Sequence, residues 1–352
     1  MLYSNFTLQF KHFFSNISCS RILVCSSIIW RLELLDGCCS VAVRPASRIL
    51  PHRCRDQNSK TVRVFPRNAK RWSSDEIFSS FTADPPFWND DWNNVSDVKI
   101  RKIGTYGWIA MMTASGGEAG IVNISKEKRK TTPGDLMWQA TPAGNPHAIE
   151  RIPYNGASVV ASSESGKLTL YVPQDSDDIN DFDNIKTSPY SYDVPAAHGV
   201  LWDPNGSHDQ DKGFLWVTGK GYLYKYKVTG KGPATRLELD TDPIELPKGG
   251  LGHDLQPDYT DPHVLLMTDT YGAYRYNAKT EKWKTIRNQR KLKSFARHWT
   301  GEYIWIKGDS SDMGHYVTFS DNPADIGSSD EESRGWEDAK FYKARIYSPR
   351  FE

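Results

Sequence analysis

The chain has 352 residues, and its 44 Lys and Arg nearly balance its 43 Asp and Glu, for a formal net charge of +1. This balance lacks the excess of positive charge that marks nucleic-acid-binding domains, so we expect no nucleic-acid partner. The 12% of aromatic residues, with 26 Gly and 20 Pro, is typical of one large all-β domain with many turns.

The N-terminal region differs from the rest of the chain. All five cysteines fall in the first 54 residues, at Cys19, Cys25, Cys38, Cys39 and Cys54. An apolar run at 22–30 follows Lys11 and Arg21, but it is shorter than a membrane span and has no clean small-residue cleavage site. We therefore predict that residues 1–53 are a leader, either disordered or a damaged or misassigned signal region. Residues 54–352 are predicted to form the folded domain, with no membrane span.

Pairs of strand-like segments recur along this domain, each pair joined by a turn that contains Gly. Three clear pairs are 157–163 with 167–173, 213–219 with 222–228, and 263–269 with 272–278. Two weaker pairs flank them, at 108–115 with 120–125 and at 302–308 with 315–321. The period is roughly 40 to 55 residues, which is typical of a propeller blade.

A further copy of the repeat is divided between the two ends of the domain. Residues 60–66 resemble a third strand without a complete first strand before it, and residues 341–347 resemble a strand without a blade. Together they can close one blade and so remove an exposed sheet edge. With about four short strands per repeat and no amphipathic helix, the sequence predicts a single six-bladed β-propeller closed by N- and C-terminal strands.

Three histidines occupy one place in the repeat, immediately before or at the start of a short apolar segment: His147, His198 and His253. The first strand of each blade lines the central channel, so equivalent positions form a ring near one mouth. Counting back from the second strand puts Lys99 and Lys293 at this position in the flanking copies, with Lys343 as a possible sixth member. Like charges in such a ring depress one another's pKa values unless an anion or a metal binds.

Two chemistries fit the ring. In the first, His147, His198 and His253 bind a divalent transition metal as cofactor, and the lysines neutralise a substrate carboxylate. In the second, one histidine is a general base, and Lys99 and Lys293 stabilise the charge that forms when a proton is removed beside a uronate carboxylate. Both indicate an acidic oligosaccharide or another small anion as ligand, and a polysaccharide-lyase-like or metal-dependent carbohydrate-active enzyme if the ring is catalytic.

Neighbouring polar residues have two interpretations. Asn145, Asp254 and Gln256 lie beside the histidines in sequence and can orient them as hydrogen-bond acceptors, or they can cap turns. The histidines themselves can be structural and bridge neighbouring blades. In that case the protein is a non-catalytic scaffold with protein partners on its blade faces.

The His-bearing phrases carry a resemblance. GNPHAIERIP, SSESGKLTLY, AHGVLWD, GHDLQPD and KFYKARIY, between about Asp56 and Tyr347, resemble an uncharacterised family of bacterial and fungal propeller proteins, many of them exported. The resemblance implies the propeller fold and, together with five Asn-x-Ser/Thr sequons, a secreted protein. The His-rich ring is also similar to the channel site of oligogalacturonate lyases, by analogy of fold and residue type.

Overall fold

The computed structural model describes residues 36–43, 61–65, 79–82 and 92–346, apart from 125–130 and 205–212, and also Arg67, Ala69, Arg71 and Trp72. These residues form 25 β-strands and short 3₁₀ turns, without an α-helix. A helix of the length and apolarity needed to cross a membrane is therefore also absent from this part of the chain. The prediction of an all-β propeller is confirmed.

The strands follow one another in simple order. Before the first regular blade come β1 (Asp36–Val43), β2 (Thr61–Phe65) and β3 (Ser79–Thr82). The first blade contains β4 (Val95–Ile103), β5 (Gly107–Ala114), β6 (Glu118–Asn123) and β7 (Leu136–Ala140). The second contains β8 (Pro146–Arg151), β9 (Ser158–Ser162), β10 (Lys167–Pro173) and β11 (Ile185–Asp193).

The third blade contains β12 (Gly199–Asp203), β13 (Phe214–Thr218), β14 (Tyr222–Thr229), β15 (Arg236–Leu239) and β16 (Ile244–Glu245). The fourth contains β17 (Gly252–Pro257), β18 (Val264–Asp269), β19 (Ala273–Asn277) and β20 (Lys282–Arg287). The fifth contains β21 (Leu292–Arg297), β22 (Tyr303–Lys307), β23 (Tyr316–Ser320) and β24 (Glu332–Gly335), and the last strand is β25 (Lys343–Ala344).

Five of the sheets are regular antiparallel blades, where the sequence predicted six blades. The remaining sheet has the order β25-β1-β2-β3, and in it β25 runs parallel to β1. Strands from both ends of the domain thus share one mixed sheet, and β25 at its inner edge contacts β4 and β21. The ring of regular blades is closed by this sheet.

The predicted leader lies largely outside the described residues, which omit 1–35 and 44–53. Within it, Asp36–Val43 forms β1 of the mixed sheet. The domain boundary at residue 53 stays a prediction.

Apolar side chains between neighbouring blades form the core. Trp138 of the first blade packs with Ile149 and Val160 of the second in one buried cluster. Inner strands such as β8 and β12 are buried along their whole length because a blade covers each of their faces. By contrast, most of the outer strand β20 is exposed or half-buried. Polar side chains on the inner strands, such as Glu150 of β8, are therefore enclosed by protein.

The closure by the C-terminal segment can be tested at Phe341. This side chain is 0% exposed and packs in a cluster with Phe65, Phe319 and Ile304. Phe341→Ala should lower the free energy of unfolding by about 3–5 kcal/mol, because it leaves a cavity in this cluster. Tyr316→Ala is the control, since Tyr316 is 46% exposed in the same region. Urea denaturation followed by circular dichroism measures both, and equal losses would contradict the closure.

Candidate ligand site at the channel mouth

Strand register identifies the residues of the ring. In β8, β17 and β21 the regular pairing with the second strand is interrupted at His147, His253 and Lys293. His198 precedes β12 and donates its backbone N–H to the Thr218 carbonyl, so it holds the same place relative to its second strand. In β4 the interruption falls at Ser96. The register therefore brings together the three histidines and Lys293 of the prediction.

Lys99 lies three residues beyond this position, so Ser96 takes the place that counting assigned to Lys99. Its buried Nζ donates to the Val200 carbonyl and, at 3.1 Å, to the Ile149 carbonyl. The same Nζ lies 3.7 Å from Asp97 Oδ2 and 3.8 Å from Glu150 Oε2. Counting residues back from the second strand did not give the correct position in this blade, because bulges and strand lengths vary between blades. Lys99 joins two neighbouring inner strands beneath the ring.

The three imidazoles form one continuous wall. The His147 and His198 rings are stacked, with centroids 4.1 Å apart and planes at 16°, and the His253 ring meets His198 edge-on at 5.4 Å. Lys343 Nζ donates to the His147 carbonyl at 3.1 Å. The Tyr342 ring lies between cations, with the Nζ atoms of Lys293 and Lys343 each 5.9 Å from its centroid. Lys343 therefore contacts the strand that carries His147, and its membership of the ring stays a prediction.

Burial keeps the histidines neutral. It lowers the pKa of His198 to about 3, and the charges of Lys343 and Lys293 act in the same direction. Burial likewise holds the pKa values of His147 and His253 well below 6.5, with further contributions from the neighbouring histidine and lysines. The pKa of Lys293 is also lowered by burial, an effect that Asp312 opposes. At neutral pH the ring is thus uncharged imidazole beside ammonium groups.

Two of the imidazoles have a buried nitrogen without a hydrogen-bond partner among the described residues. These atoms are His147 Nδ1 and His253 Nδ1. His198 differs, because its Nδ1 lies 3.2 Å from the Ala196 carbonyl, which assigns the proton to that nitrogen. Unpaired buried polar atoms cost stability, and a bound ligand can supply the missing partner.

The arrangement of the rings bears on the predicted metal site. Ring-nitrogen lone pairs lie in the ring planes, so the nearly parallel planes of His147 and His198 do not meet at one ion. In the described ranges, no group of three His, Cys, Asp or Glu side chains is placed to hold a metal. The three-histidine metal site thus stays a prediction that this geometry does not support.

A buried ionic cluster lies directly beneath the ring. The Arg345 guanidinium donates to both Asp254 carboxylate oxygens, at 2.7 and 2.8 Å, and its Nε donates to Asp97 Oδ1 at 3.1 Å. Although burial alone would raise the pKa of Asp97, the charges of Arg345, Lys343 and Lys99 lower it. Sequence reasoning missed Arg345 and Asp97. The alternation of charged and apolar residues in Asp97-Val-Lys-Ile-Arg101 was the available signal.

The three residues predicted to orient the histidines have other partners. Asp254 binds Arg345, and Gln256 Nε2 donates to the Leu255 carbonyl at 2.6 Å and to Asp254 Oδ1 at 3.4 Å. Asn145 has a φ of 63° and donates to Glu164 Oε1 at 3.1 Å. None of the hydrogen bonds within the described residues connects these side chains to a ring histidine. For Asn145 the turn interpretation fits the observed backbone.

A cavity of about 610 Å³ adjoins the ring between the fourth and fifth blades. His253 and Lys293 belong to both the ring and the cavity. Among the described residues, four cationic side chains and one carboxylate line the cavity. The described lining is His253, Thr270, Asn288, Gln289, Arg290, Lys291, Lys293, Lys307 and Asp312. The ring thus opens into a strongly cationic space.

The ionic cluster predicts a large effect of Arg345→Met. This change leaves Asp97 and Asp254 buried without their guanidinium, and we expect the free energy of unfolding to fall by about 3–5 kcal/mol. The matched control is Arg275→Met, because Arg275 pairs with Asp261 at 3.4 Å near the surface and should contribute about 0–1 kcal/mol. Urea denaturation measures both. A loss for Arg345→Met no larger than the control's would contradict the structural role of the cluster.

The lowered histidine pKa values predict acid sensitivity. Below the ordinary value of 6.5 the unfolded chain binds protons that folded His198, with its pKa of about 3, does not. Stability should therefore fall as pH decreases below 6.5, by about 1.4 kcal/mol per pH unit for each proton of difference. His198→Asn should make this dependence shallower between pH 6.5 and 5. His263→Asn, at an exposed site, should not, and equal slopes for both variants would contradict the assignment.

Comparison with known proteins gives a family without an assigned activity. No curated protein matches the chain. A crystal structure of a functionally unknown protein from Desulfotomaculum acetoxidans DSM 771 is similar with a TM-score of 0.49 and 10% identity, over 80% of this chain and 78% of that one. The expected membership of an uncharacterised family is confirmed. The model described as "Family of unknown function (DUF6528)" matches residues 53–297, more than half of the chain, and the protein belongs to that family.

Proposed function

We propose that the protein binds an acidic carbohydrate at the channel mouth, with a sugar carboxylate held by His253 and Lys293. One observation carries this proposal. His253, whose buried Nδ1 has no hydrogen-bond partner among the described residues, and the buried Lys293 both line the cationic cavity. A carboxylate provides the counter-charge for the ammonium, and a hydroxyl or carboxylic oxygen can complete the hydrogen bonding of the imidazole.

The cavity favours a sugar acid over a simple inorganic anion. Its volume of about 610 Å³ lies within the usual range for small-molecule sites. Thr270, Asn288 and Gln289 contribute a hydroxyl and two amides to the lining, which are suitable partners for sugar hydroxyls. The remaining lining is dominated by cations. A ligand with several hydroxyl groups and at least one carboxylate matches both kinds of group.

The electrostatics favour binding over turnover in the free protein. A general base works best when its pKa lies near the operating pH, and His198 has a pKa of about 3. A bound anion raises histidine pKa values. A lyase-like proton abstraction therefore depends on a rise in a histidine pKa when the ligand binds.

A purely structural ring accounts for only part of the geometry. It fits His198, whose Nδ1 contacts the Ala196 carbonyl, and Lys99, which joins two inner strands. It leaves the Nδ1 atoms of His147 and His253 without a hydrogen-bond partner in the described ranges. The ligand site is for this reason the stronger proposal. Secretion of the protein stays a prediction.

The proposal predicts binding of trigalacturonate, measured by isothermal titration calorimetry, and much weaker binding of neutral galactotriose. Lys293→Met should reduce the affinity for trigalacturonate roughly 10- to 100-fold, because a charged hydrogen bond to a buried group is lost. Lys284→Met removes the same charge from an exposed position on β20 and should bind like the wild type.

Two results would contradict the proposal. One is equal affinity for the acidic and neutral sugars, and the other is an equal effect of the Lys293 and Lys284 substitutions. Thermal melts of each variant in the absence of ligand separate a loss of binding from a loss of folding.

A further inference from the structure

We infer that Asp312 is a built-in carboxylate that occupies the ligand's place at Lys293 and must move aside before an anion binds. This inference rests on the proposed function, because it specifies which group pairs with Lys293 when the same site holds no ligand. It makes Asp312 a residue that sets affinity for anions.

The two partners of this ion pair differ strongly in solvent exposure. The Lys293 side chain is 6% exposed, whereas that of Asp312 is 58% exposed, and the Nζ and Oδ1 atoms lie 3.3 Å apart. A buried ammonium needs a counter-charge, and Asp312 is the one carboxylate that lines the cavity within the part of the chain that the structure describes. Because it is mostly in solvent, this carboxylate can leave at little desolvation cost.

The loop that carries Asp312 is stabilised by contacts that do not involve the Asp312 side chain. Asp309 Oδ1 accepts from the backbone N–H and the hydroxyl of Ser311, at 2.6 and 2.7 Å, and Asp309 Oδ2 lies 3.3 Å from His315 Nε2. Lys291 Nζ donates to the Asp309 carbonyl at 2.7 Å. Rotation of the Asp312 side chain away from Lys293 would leave all of these contacts in place.

The backbone of Asp312 is held in a turn. Its φ is 65°, in the left-handed region that residues other than Gly, Asn and Asp rarely adopt. Its backbone N–H donates to the Asp309 carbonyl at 3.3 Å, which fixes the turn. The loop therefore keeps a tethered carboxylate near Lys293 at a high effective concentration, and a free carboxylate must compete with it.

The decisive substitution is Asp312→Asn, which keeps the shape of the side chain and removes its charge. We expect it to bind galacturonate roughly two- to fivefold more tightly than the wild type, a factor that corresponds to the loss of a surface ion pair. Asp325→Asn is the matched control, because Asp325 is exposed beyond the other end of β23. It changes the net charge equally and should leave the affinity unchanged. Calorimetry provides the affinities.

A second measurement separates this inference from the choice of ligand. Thermal melts in sodium acetate, compared with sodium chloride at equal ionic strength, test for a carboxylate place at Lys293 without any sugar. Acetate should stabilise Asp312→Asn more than the wild type or Asp325→Asn. In the double variant Lys293→Met, Asp312→Asn this extra stabilisation should disappear.

The outcomes distinguish the two ideas. If galacturonate binds the wild type and Asp312→Asn equally, the proposed function stands and the role of Asp312 is refuted. If no uronate binds but acetate selectively stabilises Asp312→Asn, the role of Asp312 stands and the acidic carbohydrate is the wrong ligand. If neither anion distinguishes Asp312→Asn from Asp325→Asn, the inference fails.

Discussion

The contact of Arg345 with two buried carboxylates is the interaction on which the rest of the channel depends. Asp97 belongs to the first blade and Asp254 to the fourth, and both face a guanidinium next to β25. One side chain near the C-terminal end thus spans the channel and links distant parts of the ring. Removing it would leave two carboxylates unpaired with a guanidinium in a low-dielectric interior. This lowers the free energy of unfolding far more than the loss of a surface ion pair does.

The cluster contributes to the electrostatics of the ring. Beneath the histidines, Asp97, Glu150 and Asp254 face four cations, namely Lys99, Arg101, Lys343 and Arg345. The excess of charge is positive. Of these cations, Lys343 adds to burial in opposing protonation of His147 and His198, and Lys293 of the ring acts in the same direction. The same excess makes the mouth attractive to an anion. Neutral imidazoles over a positive layer therefore suit a binding site whose occupant supplies negative charge.

The sequence predicted the propeller, the strand pairs and the grouping of the three histidines because these depend on local patterns repeated at a regular spacing. For example, the predicted pair 157–163 and 167–173 corresponds to β9 and β10. The position of Lys99 could not be predicted, since the bulge at Ser96 that sets the register leaves no local signature. The pairing of Asp254 with Arg345 could not be predicted either, because the two residues are 91 positions apart in sequence and come together only when the ring closes.

The cations in and beneath the ring divide into two groups, and this division locates the site. Lys99, Lys343 and Arg345 are buried and donate hydrogen bonds to carbonyls or carboxylates of the inner strands. A ligand would therefore gain little by binding to them. Lys293 is slightly less buried, and its ion-pair partner is the exposed carboxylate of Asp312. Arg290, with its guanidinium 5.0 Å from the Tyr271 ring, lines the same cavity. An incoming anion binds most favourably beside the buried cation whose own counter-charge is held most weakly. That cation is Lys293, which lines the cavity together with His253.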